Sequence, residues 1–305
     1  MKTVPRAAPI GRLSPRGRRF GAYFRLTKPR IVELLLVTTV PAMILADRGL
    51  PSLGLIAATL AGGTLSAGGA NAINQYLDRD VDEVMARTRR RPLPAHLIEP
   101  SRALAFGVAL VLAGFVWLFL TVNLLAAALA AAAALFYVFV YTAWLKRSTP
   151  QNIVIGGAAG AVPVLVGWAA VDGRVGVPAL VMFAIVFLWT PPHFWALSLR
   201  YERDYAAAGI PMLPVVAGQE ATTRQILVYS YLLVASSLVL APVGHLGPVY
   251  VTAALVLGLL FVGGAHRLRQ KGSPSASLGL FRYSIAYLAL LFASVAADTI
   301  ISHGL

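Results

Sequence analysis

Nine apolar runs, most of them close to 20 residues long, follow one another along the chain with short polar joints between them. They cover 31–46, 53–74, 103–122, 124–145, 153–171, 177–199, 226–243, 249–265 and 281–301. A helix needs about 20 residues to cross a hydrocarbon layer of about 30 Å. Polar residues collect at the ends of the runs, so the helices lack the polar face that a water-soluble bundle keeps toward solvent. The pattern predicts an all-α polytopic membrane protein with nine transmembrane helices. The short first run extends back through "FRLTKP", because Lys and Arg near the end of a span reach to the interface. Joints such as "TVN" and "GHLG" make neighbouring helices antiparallel. "AGGTLSAGGA" and "GGAAGA" are predicted contact stripes, where small residues let backbones approach in lipid. Pro41, Pro163 and the pair Pro191–Pro192 are expected to kink or end their helices.

The start of the chain breaks the pattern. Residues 1–24 contain arginines and prolines, no acid and no apolar core, so they do not read as a secretory signal. Three prolines in the first fifteen residues argue against an amphipathic import helix and favour a bacterial cell membrane over a mitochondrial one. We expect a disordered basic tail over 1–24 and one membrane domain over 25–305.

Composition agrees with the pattern and narrows the chemistry. The 305 residues are 58% hydrophobic and 12% charged, with a mean hydropathy of +0.74. Soluble domains carry roughly twice that charged share. The absence of cysteine excludes disulfides, thiolate metal sites and cysteine nucleophiles. The net charge of +14 fits topology and contact with anionic membrane lipid rather than nucleic acid. If the runs alternate, 24 of the 26 Lys and Arg fall on the side of the tail, leaving only Arg48 and Arg174 opposite. That asymmetry puts the N-terminus in the cytoplasm. Asp78, Asp80, Asp82, Glu83, Glu99, Glu202, Asp204 and Glu220 fall on the same side. Acids contribute little to orientation, so another need gathers both signs there.

The stretch 74–94, "NQYLDRDVDEVMARTRRRPLP", supplies that need. Asn74, Asp78 and Asp82 are four apart, so at 3.6 residues per turn they share one stripe of a helix, and Asp80 points elsewhere. Oxygen-bearing side chains on one stripe form half a shell for Mg²⁺, which completes its octahedron with waters and phosphate oxygens. Arg87, Arg89, Arg90 and Arg91 follow, and the planar guanidinium suits phosphate. The alternative is a solvated loop whose arginines only set topology. A second polar cluster, "WTPPHFWALSLRYERDYAAAGIPMLP", ends the sixth run on the same side. If its helix continues, His193 and Asp204 share a face, with His193 deeper. His193 fits a helix–helix hydrogen bond, a heme ligand or a substrate contact. Trp189 and Trp195 read as interfacial or lipid-facing aromatics. In "LKRSTPQNIVIGG", Lys146 and Arg147 flank a span, and Thr149 and Asn152 open the next with the helix dipole behind them, suited to an anion. Lys28 and Arg30 sit at the mouth of the first run. Glu33, inside it, is expected to face the bundle interior.

The Asn74–Asp78–Asp82 triplet resembles the first Asp-rich motif of the intramembrane aromatic prenyltransferases. "LTKPRIVELLLVTT", "NAINQYLDRDVDEVMARTRRRPLP", "STPQNIVIGGAAGAVPVLVGWAA" and "PPHFWALSLRYERDYAAAGIPMLPV" are similar to the heme-modifying branch, the protoheme IX farnesyltransferases. The likeness spans the chain from Arg25 onward. It implies nine helices around a central apolar cavity, with an active site at the cytoplasmic face. It also implies farnesyl transfer from farnesyl diphosphate to a vinyl group of heme B with addition of water, giving heme O. By the resemblance, Mg²⁺ is held by Asn74, Asp78, Asp82 and Asp204, which are the catalytic residues. Diphosphate is met by Lys28, Arg87, Arg91, Lys146, Arg147, Asn152 and Tyr201, and heme by His193. Only Asp204, with Tyr201 and Glu202 beside it, stands where the quinone branch has two aspartates. A heme A synthase is the implied protein partner. The rival readings are a sister enzyme acting on a quinone or chlorophyll precursor, and a transporter. A transporter would place its polar site at the midplane, whereas here polar residues crowd one face.

Overall fold

The computed structural model describes residues 15–303, except for the side chains of 15–18 and 30–36. Every regular element among them is helical. In chain order they are α1 (Pro15–Leu26), α2 (Pro29–Asp47), α3 (Leu53–Leu77), α4 (Arg79–Val84), α5 (Pro100–Thr121), α6 (Leu124–Ser148) and α7 (Asn152–Asp172). There follow α8 (Val177–Arg200), α9 (Glu202–Ala207), α10 (Leu213–Gly244), α11 (Pro248–Lys271) and α12 (Pro274–His303). Among the described residues, eight helices are long and apolar enough to span a membrane: α3, α5, α6, α7, α8, α10, α11 and α12. The first predicted run falls in α2, where the described apolar stretch, Val37–Asp47, is shorter. Glu33 lies outside the described side chains. Leu112, Leu120, Phe139, Leu259 and Leu290 project outward, exposed. Isolated in water such surfaces would aggregate; against acyl chains they need no partner. The chain is a multi-pass membrane protein.

Helix contacts follow the small residues. A Cβ on Gly69 of α3 would come within 2.6 Å of the Gly107 carbonyl of α5, and a Cβ on Gly107 within 2.9 Å of the Gly69 carbonyl. Gly114 meets the Ser66 backbone nitrogen in the same way, at 2.8 Å. These helices touch backbone to backbone, the contact that small residues permit in lipid. Gly167 of α7 lies equally close to the Thr39 carbonyl of α2, at 2.6 Å. Elsewhere α8, α10, α11 and α12 close around large side chains, with Trp195, Tyr250, Phe261, Tyr287 and Phe292 fully buried.

Two expectations change, and one is narrowed. Pro41, Pro163, Pro191 and Pro192 all sit inside continuous helices, so of the two alternatives, a kink or an end, none of them ends its helix. Ending a helix within hydrocarbon would strip more backbone groups of partners than one proline does. The break after α8 falls instead at Tyr201 (φ −109°, ψ 21°), past the apolar run, so His193 and Asp204 lie on separate helices. The stretch read as a disordered tail is helical from Pro15. Its last part is held down: Ala22 and Leu26 are buried, and Tyr23 packs edge-on against Phe106 at 5.0 Å. Gln75 Nε2 donates to the Leu26 carbonyl (2.8 Å), and Asn71 Nδ2 to that of Thr27 (3.2 Å). The tail residues before Pro15 lie outside the described residues.

Candidate active site

The end of α3 carries the first motif. Asp78 separates α3 from α4, yet the backbone bonds Asp78 N→Asn74 O (2.9 Å) and Asp82 N→Asp78 O (2.8 Å) keep helical spacing across the junction. Asn74, Asp78 and Asp82 therefore stay on one stripe, all buried, and Asp80 faces out at 61% side-chain exposure. The stripe and its exception both follow from 3.6 residues per turn.

Cations from three segments converge on that stripe. Lys28, whose backbone turns left-handed (φ 50°) between α1 and α2, donates to Asn74 Oδ1 at 2.7 Å. Burial, with the nearby charges of Arg91 and Lys146, draws its ammonium down to about 7. Asn74 Nδ2 donates to Asp78 Oδ2 (2.8 Å) and to Thr142 Oγ1 (3.0 Å). Lys146 bonds Asp78 Oδ2 at 2.5 Å, and Arg91 clamps both oxygens of Asp82 at 2.9 and 2.8 Å. Arg147 holds both oxygens of Asp80 at 2.7 Å and the Leu77 carbonyl at 2.9 Å, so it anchors the rim rather than the buried stripe. That bidentate bond holds the Asp80 carboxyl down to about 2. One oxygen is left over: Asp78 Oδ1 is buried with no hydrogen-bond partner, and Arg147 stands 4.0 Å from it.

The second cluster faces the first through Arg87. Its guanidinium donates to the Tyr205 hydroxyl (3.3 Å) and lies over the Tyr201 ring at 5.4 Å. Burial raises the Tyr205 phenol above its ordinary range, so it stays protonated. Asp204 is drawn into no such contact. Among the described residues, no three His, Asp or Glu side chains are grouped closely enough to hold one ion. Asn152 is fully buried and its Nδ2 donates to the Thr149 carbonyl (2.6 Å), which leaves its oxygen unpartnered. The amide nitrogen carries two N–H donors, so one remains after the bond to Thr149.

His193 lies deeper, in α8, between the rings of Trp189 (4.1 Å) and Phe281 (4.7 Å). Trp189 and Trp195, expected at the lipid surface, are buried.

Several residues at these sites escaped the sequence reading. Thr142 reaches Asn74 because α6 runs as a π-helix over Phe136–Leu145, where Thr142 Oγ1 also bonds the Tyr137 carbonyl five residues back (2.8 Å). No pattern of apolar and polar positions signals such a widened turn. Tyr205 was findable, being one residue past Asp204 and facing an arginine-rich motif.

Eight or more helices enclosing a carboxylate–cation network at one end define a class, and residues 35–293 match the UbiA prenyltransferase family. The chain belongs to that family. A protein called protoheme IX farnesyltransferase from Parafrankia sp. (strain EAN1pec) is 55% identical over 300 residues, 97% of this chain and 96% of that one. Another of that name from Frankia alni is 56% identical over 92% of this chain and 98% of its own. Among solved structures, digeranylgeranylglyceryl phosphate synthase gives a TM-score of 0.77 at 17% identity, covering 93% of this chain and 99% of that one. A UbiA homolog from Archaeoglobus fulgidus bound to DMAPP and Mg²⁺ gives 0.63 at 18%, covering 90% and 99%. At these identities the solved structures establish the fold.

Proposed function

We infer that this protein is a heme O synthase, an intramembrane prenyltransferase that moves farnesyl from farnesyl diphosphate to a vinyl group of heme B, with addition of water. The observation that carries the acceptor is the identity above one half, over nearly the whole chain, with relatives called protoheme IX farnesyltransferase. The donor follows from the site, where paired acids and surplus cations suit a metal diphosphate. Polar residues at one end of the bundle, not at mid-depth, argue against a transporter.

Mg²⁺ fits the residues present. The stripe offers only oxygen donors, and the unpartnered Asp78 Oδ1 is a buried anionic atom lacking the partner such atoms require. Asn74, Asp78 and Asp82 would hold it, with Asp204 approaching from the opposite motif. Bound there, the ion would stabilise the charge growing on the departing diphosphate. The chain's own residues do the rest. Lys28 exchanges the Asn74 amide oxygen, and Lys146 and Arg91 their carboxylate oxygens, for phosphate oxygens as substrate enters, and Arg87 closes from the side of Tyr201. Arg147 steadies the rim. Desolvated cations of this kind act most strongly on charge that develops in the transition state. The farnesyl chain and heme lie in a central apolar cavity, where exclusion of water protects the allylic cation. His193 meets the heme. We place the protein in a bacterial inner membrane with its N-terminus cytoplasmic, from the Lys and Arg asymmetry, and expect a heme A synthase to receive the product.

The test incubates purified protein with Mg²⁺, farnesyl diphosphate and heme B and looks for farnesylated heme by mass. Prenylation of an aromatic acceptor without any of heme would overturn the assignment.

A further inference from the structure

His193 has close neighbours on its ring faces and at one ring nitrogen. Trp189 and Phe281 cover its two faces in near-parallel stacks, tilted by 17° and 28°. Ser284 Oγ, on α12, lies 2.6 Å from His193 Nδ1. The direction of that bond can be deduced. The Ser284 hydroxyl has one proton, and it is donated to the Phe281 carbonyl at 2.7 Å, an atom that only accepts. Toward the imidazole, Ser284 must therefore accept. Nδ1 carries the ring proton, and Nε2 is left with a bare lone pair in the ring plane. Nε2 makes no hydrogen bond and is not among the sealed, unpartnered atoms, so it opens on unfilled space. A histidine serving only to join helices would use both nitrogens or bury the spare one.

We propose that Ser284 is a positioning residue that holds His193 as an axial base for the iron of the heme acceptor. The inference rests on the heme reading above. An in-plane imidazole lone pair, with both ring faces blocked, is the donor that iron takes, and a hydrogen bond on the opposite nitrogen fixes tautomer and orientation. Coordination pins the macrocycle by its centre, limiting how its vinyl edge can turn toward the allylic carbon. No proton or electron changes hands.

The experiment loads the full-length protein with ferric heme B in detergent and records optical and EPR spectra with the heme dissociation constant. His193→Ala should lose the histidine-ligated spectrum, and added imidazole should restore it. Ser284→Ala keeps the backbone carbonyl that accepts from Trp189 Nε1 at 2.8 Å, so the indole stays anchored. It should weaken heme binding about tenfold, the usual scale for loss of an outer-shell partner, and Ser284→Thr should recover most of that. Spectra and affinities of both alanine variants equal to wild type would overturn the proposal. If wild type still farnesylates heme B in that case, only the iron-ligand role fails. If wild type leaves heme unmodified, the function itself is wrong.

Discussion

Asp78 and Asp298 are both aspartates sealed inside the bundle, at opposite ends of it, and they are finished differently. Asp298 of α12 accepts from the Gly247 and Tyr250 backbone N–H groups at 2.6 and 3.1 Å, capping the start of α11 with both oxygens used. Asp78 has one oxygen crowded by Lys146 and Asn74 and the other with no bond at all. Burying an acid is costly unless it is satisfied. The complete site returns that cost as helix–helix cohesion. The incomplete one keeps an anionic atom in reserve, which is the mark of a place meant for something that comes and goes.

The comparison can be broken most sharply at Asp78. Asp78→Ala should lower turnover by about a thousandfold, the scale of deleting a central electrostatic group, with an unchanged elution profile and helix content. Retention of most activity would show that the reserve oxygen has no catalytic use. Chelation should mimic that loss and added Mg²⁺ reverse it, with the melting temperature shifting far less than the rate; chelator-insensitive product formation would remove the metal from the scheme. Asp298→Ala should invert the pattern. It frees two helix-start N–H groups at a cost of about 1–3 kcal/mol, read as a lower melting temperature, while kcat per folded molecule stays near wild type. Gly107→Ala should cost about 1–3 kcal/mol by forcing α3 and α5 apart, again visible in melting. Asp80→Ala should matter least, an exposed pair contributing at most about 1 kcal/mol.

How far the sequence foretold this depends on which interaction placed each residue. The spans were legible because the bilayer imposes a length, and α3's stripe because helical spacing survives the Asp78 junction. Asp80 was set apart on the same ground. The arginines were legible as a group, but their division of labour was not: Arg91 takes the buried acid and Arg147 the rim one, a choice made by tertiary approach. The prolines left a choice between a kink and an end, and the absence of water inside a membrane is what excludes the end. The cap at Asp298 joins residues about fifty positions apart and leaves no local signature. The helical part of the presumed tail was hidden because distant packing holds it, with Ala22 buried and Tyr23 against Phe106, while Gln75 and Asn71 of α3 anchor the residues just after it.

The widened turns of α6 have a consequence for the gene as well as for the site. A π stretch accommodates residues that a regular helix of the same length would not. Deleting one codon within 136–145 would be taken up as the segment relaxes toward ordinary pitch, so Lys146 keeps much of its direction toward Asp78. Thr142, whose place opposite Asn74 depends on the widened turns, would be the residue displaced. A reading-frame-preserving deletion in this short window should therefore be milder than the same deletion in the regular part of α6, where nothing absorbs the rotation of about 100°.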